Sequence, residues 1–517
     1  MNQFIEKHGK NVVGVLSGWD RLALQGTLGR GRFSTVNGMQ YYLNTVGVLL
    51  KDFGAHAKSM TSQLTSASRA DAERRSRPIQ YVRSTNTRKG VIAQKLLAKD
   101  PVDEGLICLL SCVEPCVTFT VRGSRESKKL ELVKEWGKCL HLYHYFLDPV
   151  FGFMYARIQT WFPFTIQFGI NGREWLAQRM KEKGLRYRRI DNCFPWVEDF
   201  DRAQSFMDEQ LHLNWPKHLE RITRLVNPAH KAMFPRFDAH YYWTIDQSEW
   251  ATDLCFDSHA SLTAIYPQLT WGAIAGFSSQ DVMRFLGKRP DPRFQRELIS
   301  DYRKRPEGLR VKHRMDANSI KMYDKARSIL RIETTINNPR PFQVFRYKEG
   351  CPKKEKQWLR MRRGIADQHR RAEVSHKCNQ RYLDALATLD TSTRVFQLVE
   401  PLTKPVTNRK TPVRALRPWS PHDRILLKFL NRPELQLAGF RNRDLAKHLY
   451  PQATTTKDKR KAAARVSYRL RILRAHGLVA KLPKTQRYRI TKKGRQVITA
   501  MLLAQDATVQ QLAEVAA

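Results

Sequence analysis

The sequence predicts a multi-domain α+β protein, built from antiparallel sheets with helices packed on them. Three observations predict it. Segments such as 106–168 and 308–336 alternate apolar and polar residues at the period of a strand, while stretches between them repeat at the period of a helix. The chain of 517 residues is 42% hydrophobic with 24 Phe, 17 Tyr and 11 Trp, enough for two to four ordinary cores. Composition then shifts along the chain: an N-terminal α/β region with a basic hinge (1–105), a β-rich region (106–195), a mainly helical region (196–300), a basic β-meander (301–350), a helical connector (351–400), a linker (401–418) and a C-terminal domain (419–505).

Ninety-one Lys and Arg face 48 Asp and Glu, a formal net charge of +43. In a folded chain such self-repulsion implies a polyanionic partner, and nucleic acid is the partner expected. No segment reaches the eighteen or so apolar residues of a membrane helix and no signal peptide opens the chain, so no membrane partner and a cytoplasmic location are expected. Eight Cys fit no disulfide framework, and Cys108, Cys112 and Cys116 in CLLSCVEPC have apolar neighbours, which favours buried thiols over a metal site.

The elements follow in order. Residues 11–28 read as two short strands around a Ser-Gly-Trp-Asp turn, and a helix is expected from Met39 to Ala67. The hinge that follows, RADAERRSRPIQYVRSTNTRKG, interleaves aromatic and basic residues as nucleic-acid contacts do. Three strands are expected between Leu106 and Phe168, the first two joined by a polar hairpin at 123–129. Trp175, Leu176 and Met180 then fall at helical spacing before a stop at Gly184. Residues 197–290 read mainly as helices. Within them Asp246, Glu249 and Asp253 would share one helix face, either as a magnesium site or, as favoured, with Asp246 and Glu249 forming a capping box. Helix 364–390 could bridge to the C-terminal domain or pair with another subunit.

Residues 308–336 form the meander, with turns at Asp316-Ala317 and Ala326-Arg327. Alternation puts Leu309, Val311, His313 and Met315 on the core face with Ile320, Met322, Asp324, Leu330, Ile332, Thr334 and Ile336. The other face carries Arg310, Lys312, Arg314, Lys321, Lys325 and Arg331 around Tyr323 and Glu333. Like charges across strands repel unless an anion lies on them, so a nucleic-acid backbone is expected there, with Tyr323 stacking.

The strings NSIKMYDK and LRIETTI resemble a strand pair in replication initiators of plasmids and filamentous phages. That resemblance implies Tyr323 as a DNA-attacking nucleophile and Glu333 or Asp324 as a metal ligand. The paired His of such enzymes is missing, the nearest being His141, His144 and His212. Asp20, after a strand, resembles the first carboxylate of RNase-H-like nucleases. The whole chain resembles an uncharacterised bacterial family dispersed like mobile elements.

In the C-terminal part, Ser420-Pro421-His422-Asp423 caps one helix, RNRDLAKHLY forms a second, KDKRKAAARVSYRLRILRAHG a third, and LVAKLPKTQRYRIT two short strands. This resembles a winged helix-turn-helix. The resemblance implies that Arg460, Lys461, Arg465, Tyr468 and Arg469 on the third helix, with Lys484, Gln486 and Arg487 on the wing, touch nucleic acid. The expected function is DNA or structured-RNA binding, as a (ribo)nucleoprotein component of a mobile or replication system. A metal-dependent nuclease or nickase, with magnesium, and a transcription regulator are the alternatives. No cofactor is implied outside the nuclease reading.

Overall fold

Residues 12–28 form one unbroken strand, β1 (Val12–Leu28), not two strands around a turn. The glycines that suggested a turn serve close packing instead. A Cβ on Gly14 would lie 2.1 Å from the Phe200 ring, and one on Gly18 would lie 1.9 Å from the Met207 methyl. Both side chains belong to helix Phe200–Glu209, which presses onto the strand where no Cβ intervenes.

The computed structural model describes the chain apart from residues 125–128, 236, 238, 289–297, 306–307, 349, 352–354, 389–394, 409–410, 432–438, 484 and 507–517. The chain divides into two compact units. The first comprises Gly14–Asp253 and Thr335–His376, and the second Met1–Val13, Leu254–Thr334 and Lys377–Ala517.

In the first unit β1 is followed by β2 (Ile79–Tyr81), β3 (Gly105–Gly123), β4 (Leu130–Asp148), β5 (Gly152–Gln159) and β6 (Ile166–Asn171). A separate hairpin, β7 (Tyr187–Ile190) and β8 (Cys193–Val197), precedes β9 (Tyr241–Phe256). The sheet order is β9-β1-β6-β5-β4-β3-β2. Because β2 runs parallel to β3 while the hairpins are antiparallel, the sheet is mixed, where purely antiparallel pairing was expected. The third predicted strand is two, since β5 ends at Gln159 and β6 begins at Ile166. The polar connection between β3 and β4 lies partly outside the described residues.

Helices pack on both faces of this sheet, Phe53–Arg74 on the side of Leu109 and Lys89–Lys99 on the side of Cys108 and Leu110. The expected helix 39–67 is interrupted: Val36–Val46 ends at Gly47 with φ +74°, and Phe53–Arg74 follows. Helix Gly172–Glu182 buries Trp175, Leu176 and Met180 and is followed by Gly184 at φ +66°, as its spacing predicts. Trp19, Phe33, Tyr42, Phe162, Phe168 and Trp243 lie in the main core. Cys108 and Cys112 pack in a smaller apolar cluster with Ile107 and Tyr145.

Tyr241–Phe256 is a strand, which overturns the helix expected there and with it the capping box. Its run of Tyr, Trp, Thr, Ile and Phe suits a strand: Tyr241, Trp243 and Ile245 are buried in alternation, and Ser248–Phe256 is buried on both faces, where no period of two remains.

The second unit holds the meander β10 (Leu298–Arg305), β11 (Gly308–Met315), β12 (Asn318–Lys325) and β13 (Ile329–Ile336), in that order in the sheet. Its turns fall where predicted, with Asp316, Ala326 and Arg327 at positive φ. Helix Gln368–Ala387, offered as a bridge or subunit contact, buries one face, with Ala372, Ser375, Asn379, Tyr382 and Leu386 inside. Its later half packs on the meander, where Asn379 bonds to Thr334 at 2.6 Å and to the Ile332 carbonyl at 3.0 Å.

The C-terminal part of this unit is a small helix and sheet assembly. Helix Pro421–Leu430 is followed by strand Phe440–Arg441, helices Asn442–Leu449 and Thr456–Ala475, then strands Val479–Lys481 and Arg487–Ile490. The last strand lies between the other two. Leu426, Leu430, Phe440, Leu445, Val466 and Leu470 join in its core. Among the described residues no helix is long and apolar enough to cross a membrane.

Candidate nucleic-acid interface

The meander obeys the predicted alternation on its core side. Val311, His313, Met315, Ile320, Met322, Leu330, Ile332, Thr334 and Ile336 are buried, while Leu309 and Asp324 are half-buried. His313 is held by Ser300 Oγ at 2.8 Å and Tyr382 Oη at 3.2 Å. Burial pushes its imidazole down to about 4, so it is neutral at pH 7.

The opposite face is less open than the sequence implied. Arg310, Lys312, Arg314, Lys321, Tyr323 and Lys325 are half-buried, but Arg331 and Glu333 are buried, so neither is part of an exposed cationic lattice. Alternation assigns a face to a side chain but says nothing of what covers that face. Lys312 stands opposite Asp301 on β10 and Lys321 on β12. Burial, then Lys321 and Arg310, lower the Lys312 ammonium below its ordinary value. An anion laid on this row would relieve that crowding.

Glu333 accepts hydrogen bonds from Lys321 Nζ and, at 2.7 Å, from Tyr323 Oη. Burial raises its carboxyl, but Lys321 and Tyr323 outweigh it and hold the group below the usual carboxylate value. Tyr323 is therefore tied down rather than presented for stacking. Asp324 contrasts with it, since burial raises its carboxyl.

Helix Thr456–Ala475 shows why its two faces differ. Ala462, Val466, Leu470 and Leu473 face the core at helical spacing, which turns Arg460, Lys461, Arg465, Tyr468 and Arg471 to the exterior. Thr455 caps it, accepting from the Asp458 amide at 3.1 Å. Arg465 stacks over Tyr450 at 5.8 Å and Arg471 over Tyr468 at 5.4 Å, which pre-orients both guanidinium groups. Arg469 is half-buried and donates to the His422 carbonyl at 3.3 Å, so it joins two helices. In the loop before the last strand Gln486 is exposed, Arg487 on that strand is half-buried, and Lys484 lies outside the described residues.

A further basic element straddles the boundary between the regions read as the basic meander (301–350) and the helical connector (351–400). Strands Gln343–Arg346 and Gln357–Arg360 pair as a hairpin of the first unit. Phe345 and Trp358 face each other at 5.7 Å between ring centroids and are 53% and 67% exposed. Exposed Tyr347 carries Lys356 at 5.3 Å over its ring. Aromatic rings bare to solvent among cations suit stacked bases. The signal was there in QVFRYK and KQWLR, two short runs alternating aromatic and basic residues.

The carboxylates on β1 and β9 form a buried polar network. Arg173, fully buried, lies 3.2 Å from Asp253 and 3.8 Å from Asp20, and Asn192 donates to both oxygens of Asp20 at 2.8 and 2.9 Å. Asp20 and Glu249 bring carboxylate oxygens within 4.8 Å of each other. Asp246 is not in that group, because a strand does not put residues three apart on one face. Arg371 is beside it instead, donating to the Ile245 and Ile336 carbonyls at 2.7 Å. The magnesium triad expected on a helix face is thus overturned.

Comparison with protein-family models, with curated proteins and with solved structures finds no match to this chain.

Proposed function

We propose that this protein binds nucleic acid, DNA or structured RNA, as a component of a mobile or replication system. The observation that carries the reading is the helix Thr456–Ala475, whose exposed side carries Lys457, Lys459, Arg460, Lys461, Arg465, Arg471 and Arg474 against a single acid, Asp458. Its setting supports a winged helix-turn-helix, because helix, strand, two helices and two strands follow in that order, with the last strand central. In that arrangement Arg460, Lys461 and Arg465 enter a major groove, and Gln486 with Arg487 meet the flanking backbone. The meander supplies a second phosphate-binding row through Arg310, Lys312 and Arg314, and the hairpin at 343–360 supplies stacking rings.

The test is binding of fluorescent duplex DNA, structured RNA and single strands across a salt series. Tight binding of at least one class, weakening steeply with salt, is expected. Salt-insensitive or undetectable binding of all three sinks the reading.

A second reading, metal-dependent strand cleavage, is favoured by two contacts: the Tyr323 hydroxyl donating to Glu333, and the approach of Asp20 to Glu249. It predicts products from supercoiled or single-stranded DNA with magnesium, lost in Y323F or in D20N. Binding without products in wild-type protein removes it.

A further inference from the structure

In the first unit, the β3-β4-β5 face that holds the apolar cluster of Cys108 and Cys112 turns polar further along, with Glu114, Arg157 and Gln159. Cys116 stands opposite Gly137 and Cys139 opposite Glu114, so the two cysteines lie diagonally on the same face of the hairpin. Their sulfurs are 3.3 Å apart. His141, two residues beyond Cys139 and opposite Gln159, joins them: one ligand atom from each of the three residues falls within 4.8 Å of the others. The His141 Nδ1 lies 3.2 Å from the Cys139 carbonyl oxygen, which can only accept, so Nδ1 carries the proton and Nε2 keeps its lone pair. His141 is 2% exposed and Cys116 is buried, so this trio is held by packing.

We propose that Cys116, Cys139 and His141 form a three-ligand site for a thiophilic divalent cation, zinc, with its fourth position open. Tetrahedral zinc with bonds near 2.3 Å to sulfur and 2.0 Å to nitrogen separates its ligand atoms by about 3.5–3.8 Å. The present spacings reach those values by small side-chain rotations. Two thiolates and a neutral imidazole balance the charge of a divalent ion and match the soft donors zinc prefers over magnesium or calcium. CxxC spacing, the usual sequence sign, is absent because the ligands come from two strands of a hairpin and meet through register alone.

The open position has somewhere to lead. Cys116 and His141 line a cavity of about 340 Å³ whose wall also includes Lys134, Trp136, Arg157 and Gln159. Arg157 donates to Gln167 at 2.7 Å and pairs with Glu114 at 2.9 Å, which fixes its guanidinium at the cavity wall. Two cations and an amide around a metal suit an anionic oxygen ligand such as a phosphate. This site is independent of the nucleic-acid reading and stands or falls separately.

The full-length protein, purified with reductant and without added chelator, is expected to carry stoichiometric zinc by elemental analysis. Cobalt replacing it should give intense thiolate-to-metal charge-transfer and tetrahedral ligand-field bands. Inorganic phosphate should shift the ligand-field bands in wild type and much less in R157Q, which keeps its metal. C116S and H141N should each lose the metal. If a variant fails to fold, mass mapping of alkylated thiols in wild type serves instead: zinc should protect Cys116 and Cys139 from alkylation, and chelator should expose them. A metal-free wild type, a Cys116–Cys139 disulfide under reducing conditions, or zinc retained in folded C116S would overturn the site. A cobalt spectrum indifferent to phosphate would overturn its open position.

Discussion

Glu114 shows how much one side chain can carry. It accepts from Lys89 Nζ at 2.8 Å and from the Tyr143 hydroxyl at 2.7 and 2.8 Å, and Lys89 is only 7% exposed. Substituting E114Q keeps the volume and an acceptor for Tyr143 but leaves the buried Lys89 ammonium, and the Arg157 guanidinium 2.9 Å away, without their shared counter-charge. The expected cost is about 3–5 kcal/mol by denaturant unfolding. K89M/E114Q should regain the share that belongs to the unpaired ammonium, while Arg157, which also loses its partner, keeps the rest of the penalty. None of this was legible in the sequence, where Glu114 is one acid in an apolar strand. Tyr323 is the reverse case. The sequence singled it out for its neighbours, and its bond to Glu333 makes it a buried partner as much as a surface ring.

Elements carry the binding predictions. On helix Thr456–Ala475, R460A and K461A should each weaken duplex binding across sequences and lower the salt slope by about one. R469A should act first on thermal stability, since its guanidinium joins the helix to His422. On the hairpin at 343–360, W358A should cost single-strand affinity about 1–3 kcal/mol while leaving duplex binding nearly unchanged. Equal losses for both forms in an anisotropy titration would argue that the rings do not stack on bases. The C-terminal helices were readable because caps, periodicity and a closing Gly477 at φ +73° all agreed. The strand Tyr241–Phe256 was not, because burial on both sides from Ser248 onward erases alternation there and the acids at 246, 249 and 253 have a spacing that imitates a helix.

At the scale of the molecule, pH should act through buried histidines before it acts through carboxylates. Burial holds His144 and His313 down to about 4, against 6.5 when unfolded. Among the described residues His144 has no hydrogen-bond partner on either ring nitrogen, with Asp71 the nearby charge that opposes the shift, and His313 faces Ser300 and Tyr382. The folded state therefore binds fewer protons between these values. Their contribution is intact above about pH 6.5 and falls as pH drops toward 4, by up to about 1.4 kcal/mol per pH unit for each group. Melting temperature should decline from pH 7 to pH 5 in wild type and less steeply in H144L. Glu333, held below its ordinary value by Lys321 and Tyr323, contributes fully above the ordinary carboxylate value and loses that contribution progressively as pH falls below it.

The sequence by itself determined the α+β class, the meander with its turns, three C-terminal helices with two strands after them, and the excess of 91 cations over 48 acids, though not the strand Phe440–Arg441. These are local or additive properties, written in periodicity, caps and composition. Only the tertiary structure decided that Arg331 and Glu333 are buried, that Gly14 and Gly18 receive Phe200 and Met207, and that Cys116 meets Cys139 and His141. Each depends on which strands become neighbours and in what register. That choice is made by long-range packing, for which one-dimensional spacing holds no record.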